Sequence, residues 1–227
     1  MSINALKEFR IGNLTAKLPI IQGGMGVGIS LSGLASAVAN EGGIGVIAAA
    51  GLGMLDYDFS TKFLEANIRR LRSEIRKARE KTKGIIGVNI MVALTNYAEF
   101  VKASIEEGID IIFSGAGLPL NLPQYLEGKY ETKLIPIVSS ARAAGIICRK
   151  WQDKYNYLPD AIVVEGPKAG GHLGFKEHQI FDPGYSLEKI LPEVVKEVKT
   201  FEDKSGKKIP VIAAGGIYTG EDIYNIM

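Results

Sequence analysis

The sequence predicts an α/β fold of the TIM (β/α)8 barrel type. Seven short apolar runs rich in β-branched residues have the pattern of strands, and helical patterns lie between them. Strands that are apolar on both faces and alternate with helices are typical of a parallel sheet covered by helices. Polar or glycine residues end nearly every predicted strand, which is where a barrel places its active site.

Each element is predicted from its own pattern and from the turn residues that bound it. The strands are predicted at residues 19–24, 44–50, 85–91, 110–115, 133–139, 161–166 and 210–215. Helices are predicted at 31–41, 60–81, 97–107, 121–130, 141–155 and 187–203, and several carry Lys, Arg and Glu on one face. A further helix opens at Thr219, so strand and helix alternate along the chain.

Two features favour a barrel over an open doubly wound sheet. The strands end in polar or glycine residues that a barrel would gather at one mouth: Gln22, Asn89, Ser114, Ser139, Glu165, Gly215 and Gly216. The dinucleotide fingerprint G-x-G-x-x-G is missing from the glycine-rich segment after the first strand, because its third glycine would fall on Ile29 or Leu31.

A barrel needs eight strands, and residue 227 falls inside the helix that follows the seventh. An unpaired parallel edge is an aggregation liability, and the last residues carry no helix stop signal. We therefore expect one barrel domain over residues 1–227, truncated after strand seven, with strand eight onward absent.

Composition excludes several classes of function. A net charge of +2 with interspersed acidic and basic residues leaves no basic face for nucleic acid. Charges at Lys7, Glu8 and Arg10 interrupt any signal-peptide core, and no run reaches the ~20 apolar residues of a membrane span. We expect a cytoplasmic protein. Cys148 is the single cysteine, which excludes an internal disulfide and predicts a small apolar helix residue.

Two polar loops follow early strands. Gln22, Gly23, Gly24 and Met25 follow the first strand, where glycines either let the backbone approach a flat or anionic ligand or simply form a tight turn. Asn89 at the end of the third strand is suited to bond the polar edge of a heterocycle, or equally to fix its own loop.

Gly215 and Gly216 end the seventh strand. Together with the helix that opens at Thr219 to Asp222, they resemble the strand-seven part of the phosphate site that many barrels build.

The segment AIVVEGPKAGGHLGF carries one of the two histidines, His172. Glycines on both sides favour close packing against a ligand, with His172 as a general base or hydrogen-bond donor, against the alternative of a surface histidine. Glu165 either bonds a ligand or ties the loop through backbone N–H groups, and we favour the second. Two histidines and one cysteine leave no metal constellation, so redox chemistry would need an organic cofactor.

Taken in order, PIIQGGMG, GVNIM, GAG, VEGPKAGGHLGF and IPVIAAGGI resemble the nitronate monooxygenase family, also called 2-nitropropane dioxygenases. The resemblance covers the chain from Pro19 onward and is most specific at AGGH. It implies an FMN-dependent barrel. That family shares its fold and motifs with the flavin-dependent enoyl-acyl-carrier-protein reductases.

The resemblance also implies roles for individual residues. Gly23, Gly24 and Met25 would pack against the isoalloxazine ring while Gln22 and Asn89 bond its polar edge. Gly170 and Gly171 would approach the flavin, and Gly215 and Gly216 would hold its phosphate. His172 matches the histidine proposed to take the α-proton of a nitroalkane or to orient a nitronate, with oxygen as co-substrate and a carbonyl compound and nitrite as products. A homo-oligomer is compatible with the sequence.

Family members continue through an eighth strand whose loop completes the phosphate site. Each lost charge-assisted hydrogen bond is worth ~1.5–3 kcal/mol, so residues 1–227 alone are expected to retain FMN weakly or not at all. Pro167-Lys168 before AGGH favours a nitronate monooxygenase over an enoyl reductase. A flavin-free, non-catalytic fragment is the third alternative.

Overall fold

The computed structural model describes residues 6–128 and 131–227. These form two compact units, which are described separately. The first comprises the described residues within Met1–Ser114 and Leu122–Leu134, and the second comprises Gly115–Asn121 and Ile135–Met227. The expectation of a single domain over residues 1–227 stays a prediction.

The first unit is built on parallel strands in chain order. An antiparallel hairpin of β1 (Phe9–Ile11) and β2 (Leu14–Ala16) comes first, and its strands were too short for the sequence pattern to predict. β3 (Ile44–Ala48), β4 (Ile85–Met91) and β5 (Ile111–Gly115) then lie side by side. All residues of β3 and β5 are buried, as predicted for strands covered on both faces.

The prediction of a strand at 19–24 is wrong in extent but correct in place. Only Ile21 forms a β-bridge, and it lies parallel to Ile44. The Gln22 amide donates to the Ile44 carbonyl at 3.0 Å, and the Ile44 amide donates to the Ile20 carbonyl at 2.9 Å. Pro19 has no N–H to donate and Gly23 and Gly24 disfavour an extended ladder, so the chain runs beside β3 without forming a strand.

Three helices cover the strands of the first unit: α1 (Ser32–Asn40), α2 (Phe63–Lys81) and α3 (Tyr97–Glu106). A short 3₁₀ helix lies at Leu52–Leu55. The backbone of α1 lies directly on β3, because a β-carbon at Gly45 would come within 1.9 Å of the Ala35 carbonyl oxygen. Glycine at position 45 is therefore what allows α1 to approach β3 this closely.

The helix predicted at 121–130 is replaced by a 3₁₀ helix at Leu122–Leu126. Pro123 lacks a backbone donor and Gly128 follows closely, so an α-helix is not sustained. Residues 129 and 130 lie outside the described part of the chain.

The second unit repeats the strand–helix alternation. β6 (Lys133–Val138) lies largely in this unit, beside β7 (Ile162–Glu165), which pairs in parallel with β8 (Val211–Ala214). Its helices are α4 (Ala141–Tyr155), the short α5 (Glu177–Ile180), α6 (Leu187–Ser205) and α7 (Gly220–Ile226). A 3₁₀ turn at Pro183–Tyr185 precedes α6, and neither that turn nor α5 was predicted from the sequence.

Cys148 lies buried in α4, which confirms its prediction as an apolar helix residue. Burial raises the pKa of its thiol to about 12. In the part of the chain that the structure describes, every helix is too short or too polar to cross a membrane.

Candidate functional site

The loop after Ile21 is held together by Gln22 and the buried Ser30. The Gln22 amide nitrogen donates to the Ser30 hydroxyl at 2.8 Å and to the Gly23 carbonyl, while its amide oxygen accepts from the Val46 amide at 3.1 Å. The Ser30 hydroxyl also accepts from the Met25 amide at 2.9 Å. Gln22 therefore fixes the loop to β3, and its predicted contact with a flavin stays a prediction.

Asn89 and Gly24 lie in direct contact. A β-carbon on Gly24 would come 2.5 Å from the Asn89 β-carbon and 3.2 Å from its amide nitrogen, so only glycine lets the loop pass over this side chain. Asn89 is half-buried at the end of β4. Gly23 next to it has no atom within 4 Å of its β-carbon position, and Met25 is 49% exposed. The first unit thus presents an uncovered glycine beside a half-buried amide.

In the second unit, Glu165 ends β7 opposite Ala214 of β8. Its side chain is half-buried, and burial raises the pKa of its carboxyl above the usual range. The carboxylate makes no hydrogen bond to any residue that the structure describes, so the expected tie to the glycine loop is not seen. Glu165 is left with acceptor capacity that a ligand could use.

The loop that follows β7 carries Gly170, Gly171 and His172, all exposed. Neither glycine has an atom within 4 Å of its β-carbon position. The loop is anchored further on at Gly174, where a β-carbon would come 2.3 Å from the Ser139 hydroxyl at the end of β6. His172 is therefore presented on an uncovered stretch between anchored ends.

The turn after β8 is formed by Gly215 and Gly216, with φ of 87° and 85°. These left-handed values favour glycine, and the space does too. A β-carbon on Gly215 would come 2.9 Å from the Gly166 carbonyl, and one on Gly216 would come 3.0 Å from Lys168. The turn after β8 packs on the start of the loop after β7.

The start of α7 is occupied by its own side chains. The Asp222 carboxylate accepts from the Tyr218 amide at 2.9 Å, the Thr219 amide at 2.8 Å and the Thr219 hydroxyl at 2.9 Å. These bonds, the Tyr218 and Thr219 amides first, lower the pKa of Asp222. The resemblance of this helix opening to part of a phosphate site stays a prediction, and the Asp222 carboxylate takes the amides of Tyr218 and Thr219 just before the helix.

The structure brings the predicted residues together in two groups. Gly24 contacts Asn89 in the first unit, beside Gln22, Gly23 and Met25. In the second unit Glu165 and the Gly215–Gly216 turn are neighbours through the β7–β8 pairing. Gly170, Gly171 and His172 lie exposed in the loop that follows β7.

Sequence reasoning missed three residues that shape these groups: Ser30, Ser139 and Lys168. Ser139 had been noted only as a strand end and Lys168 only as a neighbour of AGGH. A hydroxyl just before a helix and a cation before a glycine loop were the available signals.

Each unit, taken by itself, carries groups whose chemistry is compatible with a flavin. Uncovered glycine backbone at Gly23 and Gly171 can approach a flat ring, and Asn89 offers a donor and an acceptor to its polar edge. The second unit adds an unpaired carboxyl at Glu165 and an exposed histidine.

Comparison with known proteins identifies a matching family. Residues 7–227 match the family model described as nitronate monooxygenase. Among curated proteins, the chain is 28% identical over 208 residues to a Mycobacterium tuberculosis protein named (3aS,4S,5R,7aS)-5-hydroxy-7a-methyl-1-oxo-octahydro-1H-indene-4-carboxyl-CoA dehydrogenase, covering 90% of this chain and 47% of that protein. It is 27% identical over 239 residues to a probable nitronate monooxygenase of Staphylococcus aureus, covering 92% of this chain and 61% of that protein.

Among solved structures, FabK from Thermotoga maritima superposes with a TM-score of 0.69 at 30% identity, covering 90% of this chain and 53% of that chain. This match confirms the predicted α/β fold class of barrel type. The chain spans about half to three-fifths of the length of the curated relatives it matches.

Proposed function

The chain belongs to the nitronate monooxygenase family, and from that membership we propose that it takes part in the FMN-dependent oxidation of alkyl nitronates by oxygen, yielding a carbonyl compound and nitrite. The family and the names of the relatives support an oxidoreductase. The nitronate, oxygen and FMN belong to our proposal, as do the cytoplasmic location and a homo-oligomeric state.

The observation that carries the proposal is the exposed His172 on the loop after β7. The flanking glycines leave the loop backbone uncovered, so a ligand can reach the imidazole without displacing protein atoms. Histidine is a common general base in enzymes, and it can accept the acidic α-proton of a nitroalkane. We assign His172 to take the α-proton of a nitroalkane or to orient a nitronate that arrives already deprotonated.

FMN, when bound, would supply the chemistry that no side chain here offers, accepting an electron from the nitronate and passing it to oxygen. Gly23, Gly24 and Met25 would lie against its ring, with Asn89 and the spare acceptor of Gln22 at the polar edge. Gly170 and Gly171 would approach it from the loop after β7. Gly215 and Gly216 would meet its phosphate, and Glu165 would offer an acceptor to a hydroxyl of its ribityl chain.

The half-buried position of Asn89 supports its part in this assignment. Gly24 lies against the Asn89 side chain, and this close packing restricts the orientations open to it. Glu165 is supported by a different observation, a carboxyl that is partly desolvated and lacks a hydrogen-bond partner among the described residues.

A second candidate is the NADH-dependent reduction of the carbon–carbon double bond of an enoyl thioester, as in the enoyl-acyl-carrier-protein reductases that share these motifs. The observation that favours it is the Mycobacterium tuberculosis relative, whose name specifies a dehydrogenase of a carboxyl-CoA substrate. An enoyl reductase would draw its electrons from NADH, whereas the oxidation of a nitronate by oxygen needs no NADH.

The deciding experiment supplies the purified protein with FMN and either a preformed alkyl nitronate or an enoyl thioester with NADH. We expect oxygen uptake and stoichiometric nitrite with the nitronate, and no NADH oxidation with the thioester. NADH consumption without nitrite would establish the second candidate instead. A protein that takes up no flavin at any concentration would contradict both and favour a non-catalytic chain.

A further inference from the structure

Lys168 lies against the Gly215–Gly216 turn. The stem of its side chain covers Gly216, with its β- and δ-carbons 3.0 Å and its γ-carbon 3.5 Å from the position that a β-carbon on Gly216 would take. The residue is exposed, so the ammonium group at the end of that stem reaches solvent beside the turn. Lys168 forms no close ion pair with another residue that the structure describes.

The charges around this turn are otherwise mostly negative. Asp222 caps α7 with its carboxylate, and Glu221 stands next to it in the first turn of that helix. Glu188 opens α6. The pKa of Glu188 is lowered first by its own backbone amide and by Ser186, and Lys168 adds to that lowering; Lys168 also acts in the same direction on Asp222.

An anion at the turn would therefore meet an unfavourable field without a cation. The amides of Tyr218 and Thr219, which precede α7, already donate to the Asp222 carboxylate. A phosphate monoester carries more than one negative charge near neutral pH, and positively charged side chains bind it most strongly. Lys168 is the cation whose side chain touches the turn.

We propose that Lys168 supplies the positive charge that holds a phosphate monoester at the Gly215–Gly216 turn, so that this chain selects a phosphorylated flavin over an unphosphorylated one. The inference rests on the proposed function, since the flavin is part of that proposal. It adds a residue that family motifs did not single out and assigns specificity to one charge.

The first test is independent of flavin and of turnover. The backbone amide signals of Gly215 and Gly216 are followed by ¹H–¹⁵N NMR while inorganic phosphate is added to the 227-residue protein. We expect saturable shifts in the wild type, and a Kd raised roughly three- to tenfold in Lys168→Met, the range for one exposed charge-assisted contact. Lys168→Arg should restore the wild-type Kd.

Lys196→Met is the matched control, because it removes the same charge from an exposed position on α6. Its phosphate Kd should equal that of the wild type. An equal Kd in wild type and Lys168→Met, or no response of Gly215 and Gly216 in the wild type, would overturn the assignment.

The second test compares FMN with riboflavin by quenching of flavin fluorescence. Lys168→Met should weaken FMN binding by the same factor as phosphate binding and leave riboflavin binding unchanged. Equal weakening of both flavins would show that Lys168 acts through the loop structure, which contradicts the proposal. If neither flavin binds the wild type while phosphate still titrates the turn through Lys168, the proposed function fails and the anion site stands.

Discussion

The β-carbon that Gly24 lacks would lie 2.5 Å from the β-carbon of Asn89, so the glycine-rich loop and the end of β4 are in backbone-to-side-chain contact. Gly23, one residue earlier, touches nothing at the same position. The two neighbouring glycines thus separate two requirements, close packing at Gly24 and open space at Gly23.

Alanine substitution at Gly24 should lower stability, whereas alanine substitution at Gly23 should leave stability nearly unchanged. Gly24→Ala forces Asn89 or the loop to move and should lower the free energy of unfolding by about 1–3 kcal/mol, as overpacking does. Gly23→Ala should leave stability within about 0.5 kcal/mol, as for a surface position, but should weaken flavin binding if the ring lies against it. Urea unfolding and flavin titration of both variants measure this. Equal destabilisation by the two changes would refute the contact.

His172→Asn should abolish turnover of neutral nitroalkanes and spare preformed nitronates. Loss of a general base costs typically 10²–10⁴ in rate, and only the neutral substrate needs the proton removed. Steady-state nitrite release from the two forms of one nitroalkane gives the comparison, with His178→Asn on α5 as the control. An equal loss on both substrates would contradict the role of base and leave orientation of the nitronate.

Glu165→Gln should stabilise the protein at neutral pH. Burial raises the folded-state pKa of this carboxyl above its unfolded-state value. At a pH above both values the ionised carboxylate therefore destabilises the folded state relative to the unfolded state. Lowering the pH through the raised pKa protonates the wild-type carboxyl, and the advantage of the variant should shrink towards zero.

The measurement for Glu165 is urea unfolding between pH 4 and 8, within roughly the range in which a shifted Glu titrates. Exposed Glu193→Gln on α6 provides the background. A Glu165→Gln advantage that stays constant across this range would show that ionisation of Glu165 does not cause it.

Glu74→Gln should destabilise the first unit. Burial alone would raise the pKa of this carboxyl, but hydrogen bonds from Ser32 and the charges of Lys77 and Arg70 outweigh it and hold the pKa low. The Ser32 amide at the start of α1 donates to it at 3.0 Å. Removing the charge should cost about 1.5–3 kcal/mol.

Because the folded-state pKa of Glu74 is lowered, its stabilising contribution is present above the unfolded-state pKa and is lost as the pH falls through the folded-state value. The difference between wild type and Glu74→Gln should therefore narrow in acid. The exposed Glu80→Gln on the same helix controls for the loss of one carboxylate. A similar loss of stability in both variants would argue against a specific role for Glu74.

The sequence patterns predicted most of the fold because buried parallel strands have recognisable runs of apolar residues. β4 matches its predicted bounds at Ile85 and Met91, and the other predicted strands after the first are shorter by one or two residues. The failure at 19–24 has a local cause, since Pro19 lacks an N–H to donate, Gly23 and Gly24 disfavour an extended ladder, and the Gly23 carbonyl accepts from the side chains of Gln22 and Ser30. The strands of the hairpin β1–β2 are too short to show a recognisable alternation of apolar and polar residues.

The candidate site was less predictable because contacts across loops leave no periodic signal. The exposed position of His172 and its glycine neighbours agrees with a ligand-facing loop. The hydrogen bonds of the Gln22 side-chain amide and the cap of α7 by Asp222 depend on side-chain rotamers, which the sequence alone does not specify. The packing of the Lys168 side chain on Gly216 joins two loops that are far apart in the sequence, so no local pattern predicts it.

The cap at the start of α7 is made entirely by residues within four positions of one another. It can therefore form before any anion arrives, and Gly215 is packed separately against the Gly166 carbonyl and Ala169. The conformational entropy lost on binding is then concentrated in the Lys168 side chain, at most ~2 kcal/mol for a freely rotating lysine. Selectivity for a phosphorylated ligand would be gained by ordering one flexible side chain over a rigid turn.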